Sequence, residues 1–114
     1  MTIRDKLING DVVIGTWLNS SSAVVGEVLS QCGYDFICID VEHSPVDITQ
    51  TFNIFQAIEA GNKNCVPAVR LHGVDYAFTK RYLDAGAKVI IGPLVNTMEQ
   101  AKEFVKAIKF PPLG

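Results

Sequence analysis

Four short apolar runs recur along the chain at nearly even spacing, and helical patterns fill the intervals between them. The runs are Val12 to Leu18, Phe36 to Val41, Val66 to Leu71 and Lys88 to Val95. Their β-branched content and short length read as strands. The second, Phe36-Ile37-Cys38-Ile39, is apolar at successive positions, as in a strand buried on both faces. Between the first two runs, Val24, Val25, Val28, Leu29 and Cys32 recur at helical period, closed by Gly33. Asp47 with Gln50 has the pattern of a capping box. It precedes a face of Ile48, Phe52, Phe55 and Ile58, with Gly61 as the stop. Phe78, Tyr82 and Ala85 mark a third helix ending near Gly86. Thr97 with Gln100 opens a fourth, whose face is Met98, Ala101, Val105 and Ile108, ahead of Pro111-Pro112. The order β-α-β-α-β-α-β-α demands parallel strands joined by right-handed crossovers. An open doubly wound sheet and a closed (β/α)8 barrel both satisfy it. Four units make half of such a barrel, whose usual length is about 250 residues.

Composition narrows what such a chain can do. A length of 114 residues is that of one domain, 1–114, and 48% hydrophobic residues suffice for a core. A net charge of −2 with 19% charged residues leaves no basic face for nucleic acid. No apolar stretch is long enough to span a membrane, and Met1 to Lys6 lacks the apolar segment of a secretory signal. The three cysteines are an odd number without metal-ligand spacing. Cys38 in a strand and Cys32 on an apolar helix face read as small buried hydrophobes, so a reducing cytoplasm is the expected location. No glycine-rich phosphate loop follows any run.

The chemistry sits where the strands end. Asp40, Glu42 and His43 follow directly on the second strand, and Pro45 then turns the chain out of the sheet. That end of a parallel sheet is where ligands bind in α/β proteins. Arg70 closes the third run, Val66-Pro67-Ala68-Val69-Arg70-Leu71, and a guanidinium there requires an anionic partner. Asp40, Glu42 or a substrate carboxylate can each supply one. Beside an acidic pair and opposite an arginine, His43 reads as a general base. Trp17, at the exit of the first strand, is either a core filler or a pocket wall. His72 reads as a solvated loop residue, and Lys80, Arg81, Lys102, Lys106 and Lys109 as polar helix faces. Asp84 ends the third helix, where the helix dipole disfavours a carboxylate. It lies on the face opposite the strand exits, out of reach of His43 within one chain.

Six segments in order carry a family resemblance. They are Ile14-Gly15-Thr16-Trp17, Asp40-Val41-Glu42-His43-Ser44-Pro45-Val46-Asp47, Pro67-Ala68-Val69-Arg70, Leu83-Asp84-Ala85-Gly86-Ala87, Pro93-Leu94-Val95-Asn96-Thr97 and Phe110-Pro111-Pro112-Leu113-Gly114. Together they resemble the HpcH/HpaI aldolase family of metal-dependent (class II) pyruvate aldolases, with His72 and Val74 as departures from the usual pattern. The resemblance implies a (β/α)8 TIM-type barrel, usually oligomeric, that cleaves 4-hydroxy-2-oxo acids to pyruvate and an aldehyde. It implies a divalent metal, Mg²⁺ or Mn²⁺ or similar, holding the oxo-acid. It implies His43 as acid or base through water, and Arg70 as the group that binds the oxo-acid and offsets charge on oxygen. Trp17 would line the substrate pocket, and Asp84 would orient His43 of a neighbouring subunit. The family's metal ligands sit in the second half of the barrel, so no metal ligand is expected within 1–114. Asp40 and Glu42 then support the site from behind. The chain reads as an N-terminal half barrel, apparently truncated and inactive alone. Two further expectations stand beside that one: a non-catalytic half barrel that associates with itself or a partner, and citrate-forming condensation on the same scaffold.

Overall fold

The computed structural model describes residues Met1–Gly114. Its elements are α1 (Ile3–Ile8), β1 (Gly15–Leu18), α2 (Ala23–Ser30), β2 (Phe36–Asp40), α3 (Ile48–Gly61), β3 (Val66–Arg70), α4 (Tyr76–Ala85), β4 (Val89–Ile91) and α5 (Met98–Ala107). The four strands form one sheet in the order β1-β2-β3-β4, every pair parallel. Each is followed by a helix, so the molecule is four βα units in sequence, half of a (β/α)8 barrel.

Alternation along the strands sorts side chains between two faces. Leu18, Ile37, Ile39 and Val69 belong to the core cluster with Ile54, Phe55, Ile58 and Tyr82 of the helices. Trp17, Cys38, Asp40, Ala68 and Arg70 therefore point to the other, concave face. The register aligns them in rows: Trp17 pairs with Cys38 and Cys38 with Ala68, while Asp40 pairs with Arg70 and Arg70 with Ile91. One row lower, the Phe36 ring occupies the space beside Gly15; a Cβ on Gly15 would sit 2.2 Å from it.

Helix ends follow local chemistry. Asp47 and Gln50 exchange capping hydrogen bonds at α3, as do Thr97 and Gln100 at α5. Gly86 caps α4 at φ 117°, the left-handed region that favours glycine. Gly61 has a different role from a stop signal. It is the last residue of α3, and a Cβ there would sit 2.1 Å from Ser30 Oγ and 2.7 Å from the Glu27 carbonyl oxygen. Its missing side chain lets α2 and α3 touch backbone to backbone.

Several sequence expectations are corrected. The outer strands are shorter than their apolar runs, Gly15–Leu18 and Val89–Ile91, because Val12 and Ile14 are exposed before β1 and Pro93-Leu94 leave the sheet after β4. The buried side of α2 is Gly26 and Ser30, and its valines and Cys32 face solvent. Small residues win because α3 approaches too closely for a valine. In α3 the buried face is Thr51, Ile54, Phe55 and Ile58, with Phe52 outside. Met98, Val105 and Ile108 of α5 are likewise exposed. Lys80 is no plain surface lysine: its Nζ lies 5.1 Å from the Tyr76 ring centroid and 4.7 Å from that of Phe110, and it donates to the Lys109 carbonyl.

The first helix, α1, was not expected, although Thr2 and Asp5 form its capping box. Lys6 of α1 pairs with Asp35, whose other oxygen accepts from Ile14 N at 2.8 Å. This ties α1 beneath the N-terminal ends of the strands. The cleft between them is lined by Ile3, Leu7, Tyr34, Val66 and Val89.

Candidate active site at the strand exits

The site begins with Asp40, the last residue of β2, which is 2% exposed. A carboxylate that deep must be satisfied by donors. Its Oδ1 accepts from Arg70 Nε at 3.1 Å and from the backbone N–H groups of Glu42 and His43 at 3.1 and 3.2 Å. Its Oδ2 accepts from Arg70 Nη2 at 2.6 Å. The guanidinium beside Asp40 holds its carboxyl below the usual range, and Asp40 in turn raises the pKa of Arg70. Of the partners the sequence left open for Arg70, the one in place is Asp40, across one rung of the β2–β3 ladder.

Arg70 is fixed on a second side as well. Its guanidinium carbon lies 4.6 Å from the Trp17 ring centroid, so the indole forms a floor beneath it. Trp17 is thus a wall of the concave face and not a core filler. Glu42 Oε1 lies 3.5 Å from Arg70 Nε and 3.0 Å from His43 Nε2, linking the arginine to the histidine. The rest of the His43 ring faces solvent, with the side chain 70% exposed. Nε and Nη2 of Arg70 are occupied by Asp40, and no acceptor in the chain meets Nη1. The turn from Asp40 to Ser44 is closed by the Ser44 hydroxyl donating to the Asp40 carbonyl. That turn holds Glu42 and His43 at the mouth.

The structure brings together Trp17, Asp40, Glu42, His43 and Arg70. It does not bring in Asp84, which is exposed near the end of α4 and therefore near the beginnings of the strands. The partner of His43 within this chain is Glu42. His72 is exposed in the loop after β3, and its ring meets Phe78 edge-on at 4.1 Å. The exit of β4 adds a residue that sequence reasoning passed over as a site feature: Leu94 adopts φ 54°, unusual for a branched side chain, and is exposed at the rim. Only the Pro93-Leu94-Val95-Asn96 segment, quoted for its resemblance, pointed there.

A divalent cation does not fit these residues. Asp40 has both oxygens committed to donors, Glu42 is shared between a histidine and an arginine, and no three His, Cys, Asp or Glu side chains converge. What the arrangement offers is a fixed cation with a free N–H edge, a stacked aromatic floor and an exposed imidazole. It suits binding of a small anionic, planar oxygen compound and proton movement beside it.

Fold and site together define half of a barrel with a carboxylate-paired, indole-stacked arginine at its strand exits. Residues 13–114 match the HpcH/HpaI aldolase/citrate lyase family. A 2-keto-3-deoxy-L-rhamnonate aldolase from Salmonella gallinarum is 37% identical over 97% of this chain and 41% of its own length. A 2-dehydro-3,6-dideoxy-6-sulfogluconate aldolase from Pseudomonas putida is 39% identical over 89% of this chain and 39% of its own. Among solved structures, an HpcH/HpaI aldolase/citrate lyase family protein from Burkholderia cenocepacia superposes with TM-score 0.91 at 33% identity, covering 98% of this chain and 46% of that one. Citrate synthase SbnG superposes with TM-score 0.88 at 32% identity, covering 99% and 45%. The chain belongs to the HpcH/HpaI aldolase/citrate lyase family. It spans less than half the length of these relatives.

Proposed function

We propose that this chain supplies the arginine–histidine side of an aldolase-type site for a 4-hydroxy-2-oxo acid, cleaved reversibly to pyruvate and an aldehyde. The observation that carries this reading is the guanidinium of Arg70, held edge-on by Asp40 and face-on by Trp17. Two constraints hold the guanidinium and leave Nη1 without an acceptor in the chain, so a carboxylate or an enolate oxygen meets a prepared donor with little freedom to lose on binding. His43, at the rim, moves the proton to or from the aldehyde-side oxygen, through water where the distance requires it. Glu42 Oε1, within reach of both His43 Nε2 and Arg70 Nε, keeps the imidazole beside the arginine.

The family resemblance implies a divalent cation, which would polarise the oxo-acid when bound. The residues of this chain do not form its site, so its ligands belong to the other half of a complete enzyme. Within that reading the 114 residues are the N-terminal half of the barrel, inactive alone, and the substrate is a small oxo-acid. In this reading Asp84, exposed near the end of α4, serves His43 of another subunit in a homo-oligomer. The likeness to citrate synthase SbnG supports a second reaction on the same residues, condensation to citrate.

The test is exchange of pyruvate methyl protons with solvent, followed by NMR in the presence of Mg²⁺ or Mn²⁺. The isolated chain is expected to show none. A chimera in which this chain replaces the matching stretch of the Salmonella relative is expected to exchange, and His43→Ala or Arg70→Ala to abolish it. Undiminished exchange in both variants sinks the proposal. Product analysis separates the reactions, a free aldehyde marking cleavage and citrate marking condensation.

A further inference from the structure

His72 lies outside the six segments that carry the family resemblance, yet the fold sets it one row above Arg70. It follows β3, which is paired on one side by β2 and on the other by β4, so both neighbours of its exit belong to this chain. The ladders run one residue past the strands. Val41 N–H donates to the Arg70 carbonyl and Leu71 N–H to the Ile91 carbonyl, both at 3.0 Å. Val41 and Leu71 belong to the core cluster, on the helix side of the sheet. By alternation, the next residues on the Arg70 side are Glu42 from β2 and His72 from β3. Glu42 marks where that row stands, because its carboxylate reaches both Arg70 and His43. His72 is its counterpart on β3, about 7 Å beyond Arg70 along the strand direction.

The imidazole is more than a solvated loop group. Its ring meets Phe78 edge-on, with centroids 4.1 Å apart and planes at 77°. Phe78 belongs to the first turn of α4, where Asp75 Oδ1 accepts from its backbone N–H at 3.0 Å. The next residue, Thr79, is fully buried and donates to the Asp75 carbonyl at 2.7 Å. A capped helix end therefore props the ring. Within the chain neither ring nitrogen has a hydrogen-bond partner, and His72 is exposed, so a donor and an acceptor stay open.

We propose that, given the aldolase reading, His72 is a specificity-determining residue that reads a hydroxyl on the carbon next to the aldehyde carbonyl. Three side chains then divide the substrate. Arg70 takes the oxo-acid oxygens, His43 the aldehyde-side oxygen, and His72, propped from α4 at the rim, the substituent beyond it. A hydroxyl both donates and accepts, so it pairs with whichever ring nitrogen it meets. The Phe78 prop reduces the freedom lost when that bond forms. An aldehyde without the hydroxyl gains nothing from the ring, and the difference appears as discrimination between substrates.

Addition of pyruvate to glycolaldehyde and to acetaldehyde, in the chimera described above with Mg²⁺, measures this discrimination. His72→Ala is expected to lower the ratio of the two kcat/KM values about tenfold, the worth of one hydrogen bond. His72→Asn, which keeps a donor and an acceptor, is expected to restore part of the ratio. His72→Leu keeps the packing on Phe78 and removes both nitrogens. It is expected to match His72→Ala, and it decides should the alanine variant fail to fold. An unchanged ratio overturns the proposal, and so does an equal loss with both aldehydes, which marks a structural role. A loss confined to glyoxylate also overturns it, since His72 would then be reading an anion. Methyl-proton exchange by the unsubstituted chimera separates the two ways of failing. No exchange sinks the aldolase reading and this role of His72 with it, whereas exchange with an unchanged ratio sinks the role of His72 alone.

Discussion

Asp40 shows how a single buried carboxylate can hold a side chain and a turn in place at once. It is saturated by four donors, two from one arginine and two from the turn that carries Glu42 and His43. Asp40→Asn keeps the shape but breaks the charge match, and is expected to lower stability by about 2 kcal/mol, modest for a buried pair because Arg70 is partly open to solvent. Urea denaturation measures it. The pH dependence has a definite sign. Because the folded carboxyl titrates below its unfolded value of about 3.9, the unfolded chain binds more protons in between. The contribution is therefore complete above that value and is lost as pH falls through the depressed folded pKa. Asp40→Asn should flatten the acid limb of the urea midpoint against pH; an unchanged limb would assign the effect to other carboxylates such as Asp35, which is lowered by Lys6. The cysteines separate just as clearly. Burial pushes the Cys38 thiol up to about 12 and also raises Cys65, whereas Cys32 is exposed. Ellman's reagent should titrate one thiol in the native chain and three after denaturation. Charge at the exits of β2 and β3 was legible in the sequence because nothing else explains it there. The choice of Asp40 as the arginine's partner was not, since it depends on strand register.

At the scale of elements, the α2–α3 pair is the contact most sensitive to one atom. Gly61→Ala places a methyl 2.1 Å from Ser30 Oγ and 2.7 Å from backbone, so the helices must separate. We expect a loss of about 2–3 kcal/mol, in the range of overpacking effects, read from the shift in urea midpoint. A result near zero would mean that the helix end frays instead. Element type and order were readable from periodicity and from capping residues such as Asp47, Thr97 and Gly86. The buried faces of α2 and α5 were not. Periodicity identifies an apolar stripe but not what it meets, and in α2 the stripe faces outward while two small residues make the contact. The missed helix α1 shows the opposite limit. It has no buried residue, so its evidence lay in a capping box and one ion pair, and not in a hydrophobic period.

At the scale of the whole molecule, four βα units curve into half a barrel whose two edges and concave face share one chemistry. The half-barrel reading was available from the count of units; which side of α2 and α5 packs on the neighbouring helix was not, because it depends on how closely the helices approach. The short helix α1 has a further consequence here. Anchored through Lys6 and Asp35 beneath the strands, it stands at the end opposite His43 and Arg70. With no buried residue of its own and one ion pair tying it to the loop before β2, α1 should open on its own, its amides exchanging with solvent well ahead of those of β2 and β3.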